Sequence, residues 1–163
     1  MKAKNWALGL LLGAALGIAS AQDVKIDGAW VRATVAGQKA TGAFMTITAD
    51  QDMTLVGVST PVAGVSQVHE MVMSNDVMRM SEVKGGLPLP AGQAVTLKPG
   101  GYHLMFMDLK QAVKEGESID VTLTLRDAQG KSRQQVLRVP AKPLVMQPKS
   151  GMHGDMKGHQ HGS

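Results

Sequence analysis

Cysteine is absent from this 163-residue sequence. Without a thiol the chain cannot form a disulfide, a thiolate zinc site, an iron–sulfur cluster or a blue-copper centre, and it has no cysteine nucleophile. We also expect no lipoprotein anchor, because a bacterial lipoprotein is lipidated at a cysteine. The folded protein must therefore be stabilised by its core alone, or by a metal bound through other side chains.

Aromatic residues are also scarce, at 3% of the sequence, whereas methionine occurs 12 times. Large aromatic side chains therefore cannot fill most of a core, and methionine is a flexible substitute. We interpret Met45 and Met53 in this way. Thioethers are also soft metal ligands, so the remaining methionines have a second interpretation.

Long apolar runs are missing except near the start of the chain. Lys2 and Lys4 precede an apolar stretch at residues 6–18, and Ala19-Ser20-Ala21 follows as a small-x-small cleavage site. The stretch is short for a membrane span, so we predict that residues 1–21 are a signal peptide. The mature protein is then expected in the periplasm or another extracytoplasmic compartment, without stable membrane insertion.

Positive and negative charges nearly balance, so the net charge does not point to a charged polymer as a partner. The net charge of +4 falls to +2 once Lys2 and Lys4 are removed. No basic patch with interleaved aromatics is present, so nucleic acid is not an expected partner. Paired carboxylates, a Gly-x-Ser-x-Gly motif and cofactor fingerprints are missing too, and we do not expect an enzyme.

Residues 22–146 are predicted to form one all-β domain. Short apolar segments alternate with turn signals at roughly ten-residue spacing, which is typical of a β-sandwich or barrel. A loop is expected at residues 85–92, and Pro140 is expected to end the last strand. The nine predicted strands are 24–35, 40–49, 53–60, 65–73, 77–83, 95–98, 102–109, 119–126 and 132–139.

Residues 147–163 are predicted to be a flexible tail rich in glycine, histidine and methionine. Its histidines suit Cu(II) and its methionines suit Cu(I), so we interpret it as a secondary metal-recruiting segment. The alternative is a solvated end without function. The candidate tail ligands are Met152, His153, Met156, His159 and His161.

The predicted domain contains two histidines, and each has a methionine two positions later. Residues i and i+2 of a strand face the same side, so His103, Met105 and Met107 should project together. His69 and Met71 repeat the pattern. Two imidazoles with thioethers form a ligand set that suits Cu(I) better than zinc or calcium.

The hairpin after His69 can be aligned by its turn. A two-residue loop at Ser74-Asn75 would place His69 opposite Met80 at the open end of the hairpin, with about 5 Å between their Cβ atoms. The same register pairs other methionines across the hairpin. Whether these join a site or only pack remains open at this point for Met71, Met73, Met78 and Met107.

A metal-free interpretation of the same residues is a β-sandwich interaction module. Methionine in strands commonly fills gaps in a core, and a strand histidine is commonly held by hydrogen bonds. The methionines would then form core and contact surface, and no copper would be bound.

Residues 30–140 closely resemble the periplasmic copper chaperone family called PCuAC. The matching stretches are 29–34, 43–47, 77–80 and 97–105. The family motif is a histidine, ten residues, a methionine, a spacer and then His-x-Met. His69 and Met80 are separated by ten residues, and His103-Leu104-Met105 completes the motif after a spacer of 22 residues. That spacer is one residue longer than is usual in the family, and we expect the extra residue in the 85–92 loop.

The resemblance implies a cupredoxin-like Greek-key β-barrel that binds one Cu(I) near its surface. It implies that His69, Met80, His103 and Met105 are the copper ligands, at one end of the barrel. It also implies delivery of copper by a monomer to the cytochrome c oxidase copper subunit or to another periplasmic copper chaperone. A copper-sequestering buffer or resistance protein is the main alternative.

Overall fold

The computed structural model describes residues 24–143. The predicted signal peptide and tail, with the candidate tail ligands, lie outside this range. Within it the chain is all-β, as predicted, and contains no α-helix. The ten strands are β1 (Val24–Arg32), β2 (Ala40–Ala49), β3 (Met53–Ser59), β4 (Ala63–Ser74), β5 (Val77–Glu82), β6 (Leu87–Leu89), β7 (Ala94–Leu97), β8 (His103–Leu109), β9 (Ser118–Asp127) and β10 (Ser132–Lys142).

The strands form one hydrogen-bonded path in the order β5-β4-β8-β2-β1-β10-β9-β3-β6, with β7 paired to β2. β1 and β10 pair in parallel and join an antiparallel sheet on each side. The path does not close, because β5 and β6 stand at its two ends. The sequence predicted either a barrel or a sandwich. The open path shows that the structure is the sandwich, with two sheet layers.

The core lies between the two sheets and is mainly aliphatic. Leu104 and Phe106 of β8 and Leu123 and Leu125 of β9 are fully buried within one cluster. Met45 and Met53 also belong to this cluster, as predicted, so methionine supplements the core rather than building it. The other six methionines of residues 24–143 lie outside it, and these are Met71, Met73, Met78, Met80, Met105 and Met107.

Two strand boundaries differ from the prediction. The expected 85–92 loop contains a tenth strand, because Leu87 and Leu89 are buried and β6 pairs with β3. β10 also continues through Pro140. The Ala141 N–H donates to the Glu117 carbonyl oxygen, on the side of β10 that faces β9. The pairing of β10 with β1 begins only at Ala141. The N–H that proline lacks therefore falls where no partner strand needs it.

The predicted register of the β4–β5 hairpin is wrong by one position in the turn. Asn75 and Asp76 form the two-residue loop, with φ of 51° and 59°, which is the type I′ geometry that suits the twist of a hairpin. The change shifts every pair, so His69 lies opposite Glu82 and Met71 lies opposite Met80. The residues still share one face, because the shift along the partner strand is two residues.

Gly86 is the position at which a side chain would disturb the fold most directly. A Cβ added there would lie 2.6 Å from Thr54 Cγ2 and 2.8 Å from the Leu55 carbonyl oxygen, whereas one added at Gly85 meets nothing within 4 Å. Both residues have positive φ, at 85° and 99°. Gly85→Ala should therefore cost about 1–2 kcal/mol through backbone strain alone. Gly86→Ala should cost roughly 1–3 kcal/mol more through overpacking against β3.

Denaturant unfolding of the two variants beside the wild type measures this difference. Equal losses of stability in the two variants would contradict the packing of Gly86 against β3.

Candidate metal site

The candidate ligands lie on the outer face of one sheet. Strand alternation turns Leu104 and Phe106 of β8 into the core, so His103 and Met105 face the opposite side. β4 and β2 flank β8, and β5 lies beyond β4. The candidate ligands therefore belong to the face formed by β5, β4, β8 and β2, and His103 is the first residue of β8.

The two histidines come together across the β4–β8 ladder. His69 and His103 are direct partners in the register. Their ring centroids are 5.9 Å apart and the rings meet edge to face. Both are buried, at 9% and 5% exposure, although they face away from the core. Something on the outer face must therefore cover them.

An aromatic wall provides part of this cover. The Phe44 ring lies with its centroid 6.4 Å from that of His103, and Trp30 stacks on Phe44 at 4.6 Å. The Arg32 guanidinium lies 5.7 Å from the Phe44 centroid, within cation–π distance. Phe44, with Trp30 stacked on it, thus covers part of the His103 ring.

The hydrogen bond of His103 determines which of its nitrogens is free. Nδ1 lies 3.0 Å from the Gly101 carbonyl oxygen. A carbonyl can only accept, so Nδ1–H donates and Nε2 carries the lone pair. This is the arrangement in which a histidine presents one nitrogen to a metal while the backbone fixes the other.

His69 is held in the opposite tautomer. Its Nε2 lies 2.8 Å from Gln67 Oε1, and this amide oxygen accepts, so Nε2–H donates. Nδ1 then carries the lone pair, and it is buried without a hydrogen-bond partner in the structure. Leaving such an atom unsatisfied costs about 1–3 kcal/mol. A metal ion bound to Nδ1 would remove this cost, so the site fits a metal.

Gln67, the hydrogen-bond partner of His69, was not among the candidate residues predicted from the sequence. It precedes His69 by two positions on β4 and lies opposite Met105 of β8. The available signal was its i−2 spacing from His69, which places the two side chains on one face of the strand.

The pKa of His69 is lowered from its usual value of 6.5. Burial is the largest cause, because it penalises the charged imidazolium, and repulsion from His103 acts in the same direction. The Glu82 carboxylate opposes these effects and raises the pKa, but to a smaller extent. His69 is therefore neutral near pH 7, the form that can bind a metal.

A cleft of about 200 Å³ opens beside the histidines. Met80, His103 and Met105 line it together with Met71, whereas His69 does not line it. Three of the four predicted ligands thus meet in one cleft, and the fourth, His69, lies edge to face against His103. Its lining contains the Arg32 cation and no carboxylate.

The donors available here are soft or intermediate. No group of three His, Cys, Asp or Glu side chains that could hold a metal occurs within residues 24–143. A zinc or calcium site built from such residues is therefore not formed in this part of the chain. Two imidazoles and two thioethers are instead a set that suits Cu(I).

The remaining methionines of this face divide by position. Met107 pairs with Val65 and Ala40, further along β8, and does not line the cleft. Met73 and Met78 lie opposite each other near the tip of the β4–β5 hairpin. Only Met71 joins the predicted ligands in the cleft lining.

Solved structures with this architecture define its class as a PCuAC domain, as the sequence resemblance indicated. The Cu(I) form of DR1885 from Deinococcus radiodurans is 31% identical, with a TM-score of 0.55 over 78% of this chain and 85% of that one. The copper-bound PCuAC domain of PmoF2 is 21% identical, with a TM-score of 0.58 over 74% and 93%. The apo PCuAC domain of PmoF1 is 22% identical, with a TM-score of 0.58 over 74% and 94%.

Within this class the chain belongs to the LpqE-like family, described as "Putative lipoprotein LpqE-like", which matches residues 24–153. A curated relative from Leifsonia xyli subsp. xyli, "Putative lipoprotein Lxx21020", is 36% identical over 107 residues. That match covers 66% of this chain, and it spans 64% of the relative's length. Across residues 24–143 no helix has the length and hydropathy to cross a membrane.

The lowered pKa of His69 predicts how the stability of the metal-free protein depends on pH. The unfolded chain binds a proton at this residue near pH 6.5, whereas the folded chain binds it only at lower pH. The contribution of neutral His69 to stability should be complete above about pH 6.5 and should be lost as the pH falls through the folded-state value.

An NMR titration of the metal-free protein should give a midpoint below 6.5 for the His69 ring, and denaturant unfolding should show stability falling as the pH is lowered below 6.5. In His69→Gln this part of the slope should disappear. A midpoint at or above 6.5 would contradict the effect of burial.

Proposed function

We propose that this protein binds Cu(I) through His69, Met80, His103 and Met105 and delivers it to another copper protein. The observation that carries the proposal is the pairing of the two imidazoles beside a cleft lined by both thioethers. The lone pairs left by the hydrogen bonds of the histidines are Nδ1 of His69 and Nε2 of His103. All four ligands belong to strands or to adjacent strand ends, so little ordering is needed on binding.

The charge of the ligand set supports Cu(I) as the bound form. Both imidazoles bind as neutral groups and thioethers carry no charge, so the complex would have the single charge of the ion. Thioethers are poor ligands for hard divalent cations and good ligands for soft ones. The Cu(I) form of DR1885, at 31% identity, supports the same assignment.

Release to an acceptor is supported by the unequal exposure of the ligands. His69 and His103 are buried, whereas Met80 is 47% exposed on the edge strand β5. An acceptor cysteine could therefore displace the exposed thioether first, and a thiolate binds Cu(I) more strongly than a thioether. We propose an extracytoplasmic location, and as acceptor the cytochrome c oxidase copper subunit or another periplasmic copper chaperone.

Replacing the thioethers without changing volume tests the ligand assignment. Met→Leu largely conserves size, so Met80→Leu and Met105→Leu should fold normally. Each should weaken Cu(I) binding by more than the 10–100-fold that loss of an outer-shell partner typically costs. Met107→Leu is the matched control, since Met107 shares strand and face with Met105 but does not line the cleft.

Competition titration against a chromophoric Cu(I) chelator measures these affinities. Unchanged affinity in both cleft variants, or an equal loss in Met107→Leu, would remove the site assignment. Transfer of copper to an apo copper domain of cytochrome c oxidase, followed by NMR, separates delivery from sequestration. Retention of Cu(I) by this protein would favour the buffer function.

Gln67 should act on copper through His69 rather than by direct contact. Gln67→Leu removes the acceptor of Nε2–H, so the ring is no longer held in the tautomer that frees Nδ1. We expect Cu(I) affinity to fall about 10–100-fold. Nitrogen-15 shifts of the ring should show one tautomer in the wild type and a mixture in the variant. A single unchanged tautomer would mean that Gln67 does not position His69.

A further inference from the structure

The β4–β5 hairpin carries three methionines that the proposed copper site does not use. Met71, Met73 and Met78 lie on the same face as Met80, because the register pairs Met71 with Met80 and Met73 with Met78. Four thioethers thus form two adjacent rungs between the cleft and the hairpin tip.

These methionines are not explained as core filler. Met73 is 61% exposed and Met78 is 46% exposed, and neither belongs to the hydrophobic core. On the opposite face of the same hairpin Val72 is also 41% exposed. The tip therefore projects from the domain with both faces in water, and packing does not require methionine there.

The turn brings the paired thioethers close together. A two-residue loop makes Ser74 and Val77 a hydrogen-bonded pair, so Met73–Met78 and Met71–Met80 are non-hydrogen-bonded pairs. The Met71 N–H confirms this alternation, since it donates away from β5 to the Gly101 carbonyl at 3.2 Å. Non-hydrogen-bonded pairs have Cα atoms only about 4.5 Å apart, with their side chains closest.

Few other ligands compete on this face of the tip. Glu70 and Arg79 belong to the intervening positions and point to the other side. The Glu82 carboxylate lies at the far end of the hairpin, opposite His69. On the two strands, the donors on this face at the Met73–Met78 rung are therefore thioethers, which suit a soft monovalent cation, and the polar side chains of Asn75 and Asp76 belong to the turn.

We propose that Met71, Met73 and Met78 form a second Cu(I) site at the tip of the β4–β5 hairpin. Three neutral thioethers on two neighbouring rungs can surround one ion from one side, which leaves the other side open to solvent. The site is weaker than the cleft site because it has no imidazole and because Met73 and Met78 are exposed. The Met71–Met80 pair lies between the tip site and the cleft site. A role of the tip site in copper transfer therefore rests on the proposed function of the cleft site.

Methyl NMR of the full chain labelled at its methionine methyl groups tests this directly. Cu(I) alone is titrated anaerobically into the wild type and into a His103→Ala/Met105→Leu variant. The Met73 and Met78 methyl signals should shift with the second equivalent in the wild type and with the first in the variant. Tail methionines give their own signals and are followed separately.

A Met73→Leu/Met78→Leu variant is the counterpart. It should lose the tip site while the cleft affinity stays within about twofold, because Met80 and Met105 are intact. Met107→Leu should change neither site. Unshifted Met73 and Met78 methyls in excess Cu(I) would overturn the tip site alone. If they shift while Met80 and Met105 do not, the proposed cleft site fails and the tip site stands.

Discussion

The alternation of side chains along β8 is the constraint from which the arrangement of the site follows. Leu104 and Phe106 must be buried between the sheets, and this forces His103 and Met105 to the outer face. The β4–β8 ladder then brings His69 beside His103. A slip of one residue in β8 would expose the core pair and bury the candidate ligands, so packing and ligand placement cannot vary independently.

This constraint explains how much could be predicted from the sequence. Short apolar segments between turn signals predicted nine of the ten strands, and period-two alternation placed the histidines and methionines on shared faces because a strand alternates whatever its partner. The register could not be predicted, since Ser74-Asn75 and Asn75-Asp76 are both acceptable turn pairs. The positive φ of Asn75 and Asp76 shows which pair the fold uses. β6 was not predicted because it has only three residues, includes Pro88 and lies between Gly86 and Pro90, and only its pairing with β3 reveals it.

Burial divides the proposed ligands into two kinds. Phe44, with Trp30 stacked on it, lies against His103, and burial lowers the pKa of His69, so that His69 stays neutral and fixed by Gln67. Met80 instead stands on an edge strand in water. One half of the site is therefore preorganised and the other half is accessible, which is the combination that holding and then transferring an ion requires.

Because the sequence has no cysteine, the exposed ligand of the proposed site is a thioether rather than a thiolate. A thiolate at the position of Met80 would add a negative charge and bind Cu(I) more strongly. With thioethers the copper complex keeps a net positive charge, and the Arg32 cation lines the same cleft, whereas the Glu82 carboxylate lies opposite His69 and outside the lining. Like charges in a partly dehydrated cleft repel more than they would in water. An acceptor thiolate at the exposed edge is therefore favoured for two reasons: it is a stronger soft ligand than the thioether, and its negative charge neutralises that of Cu(I).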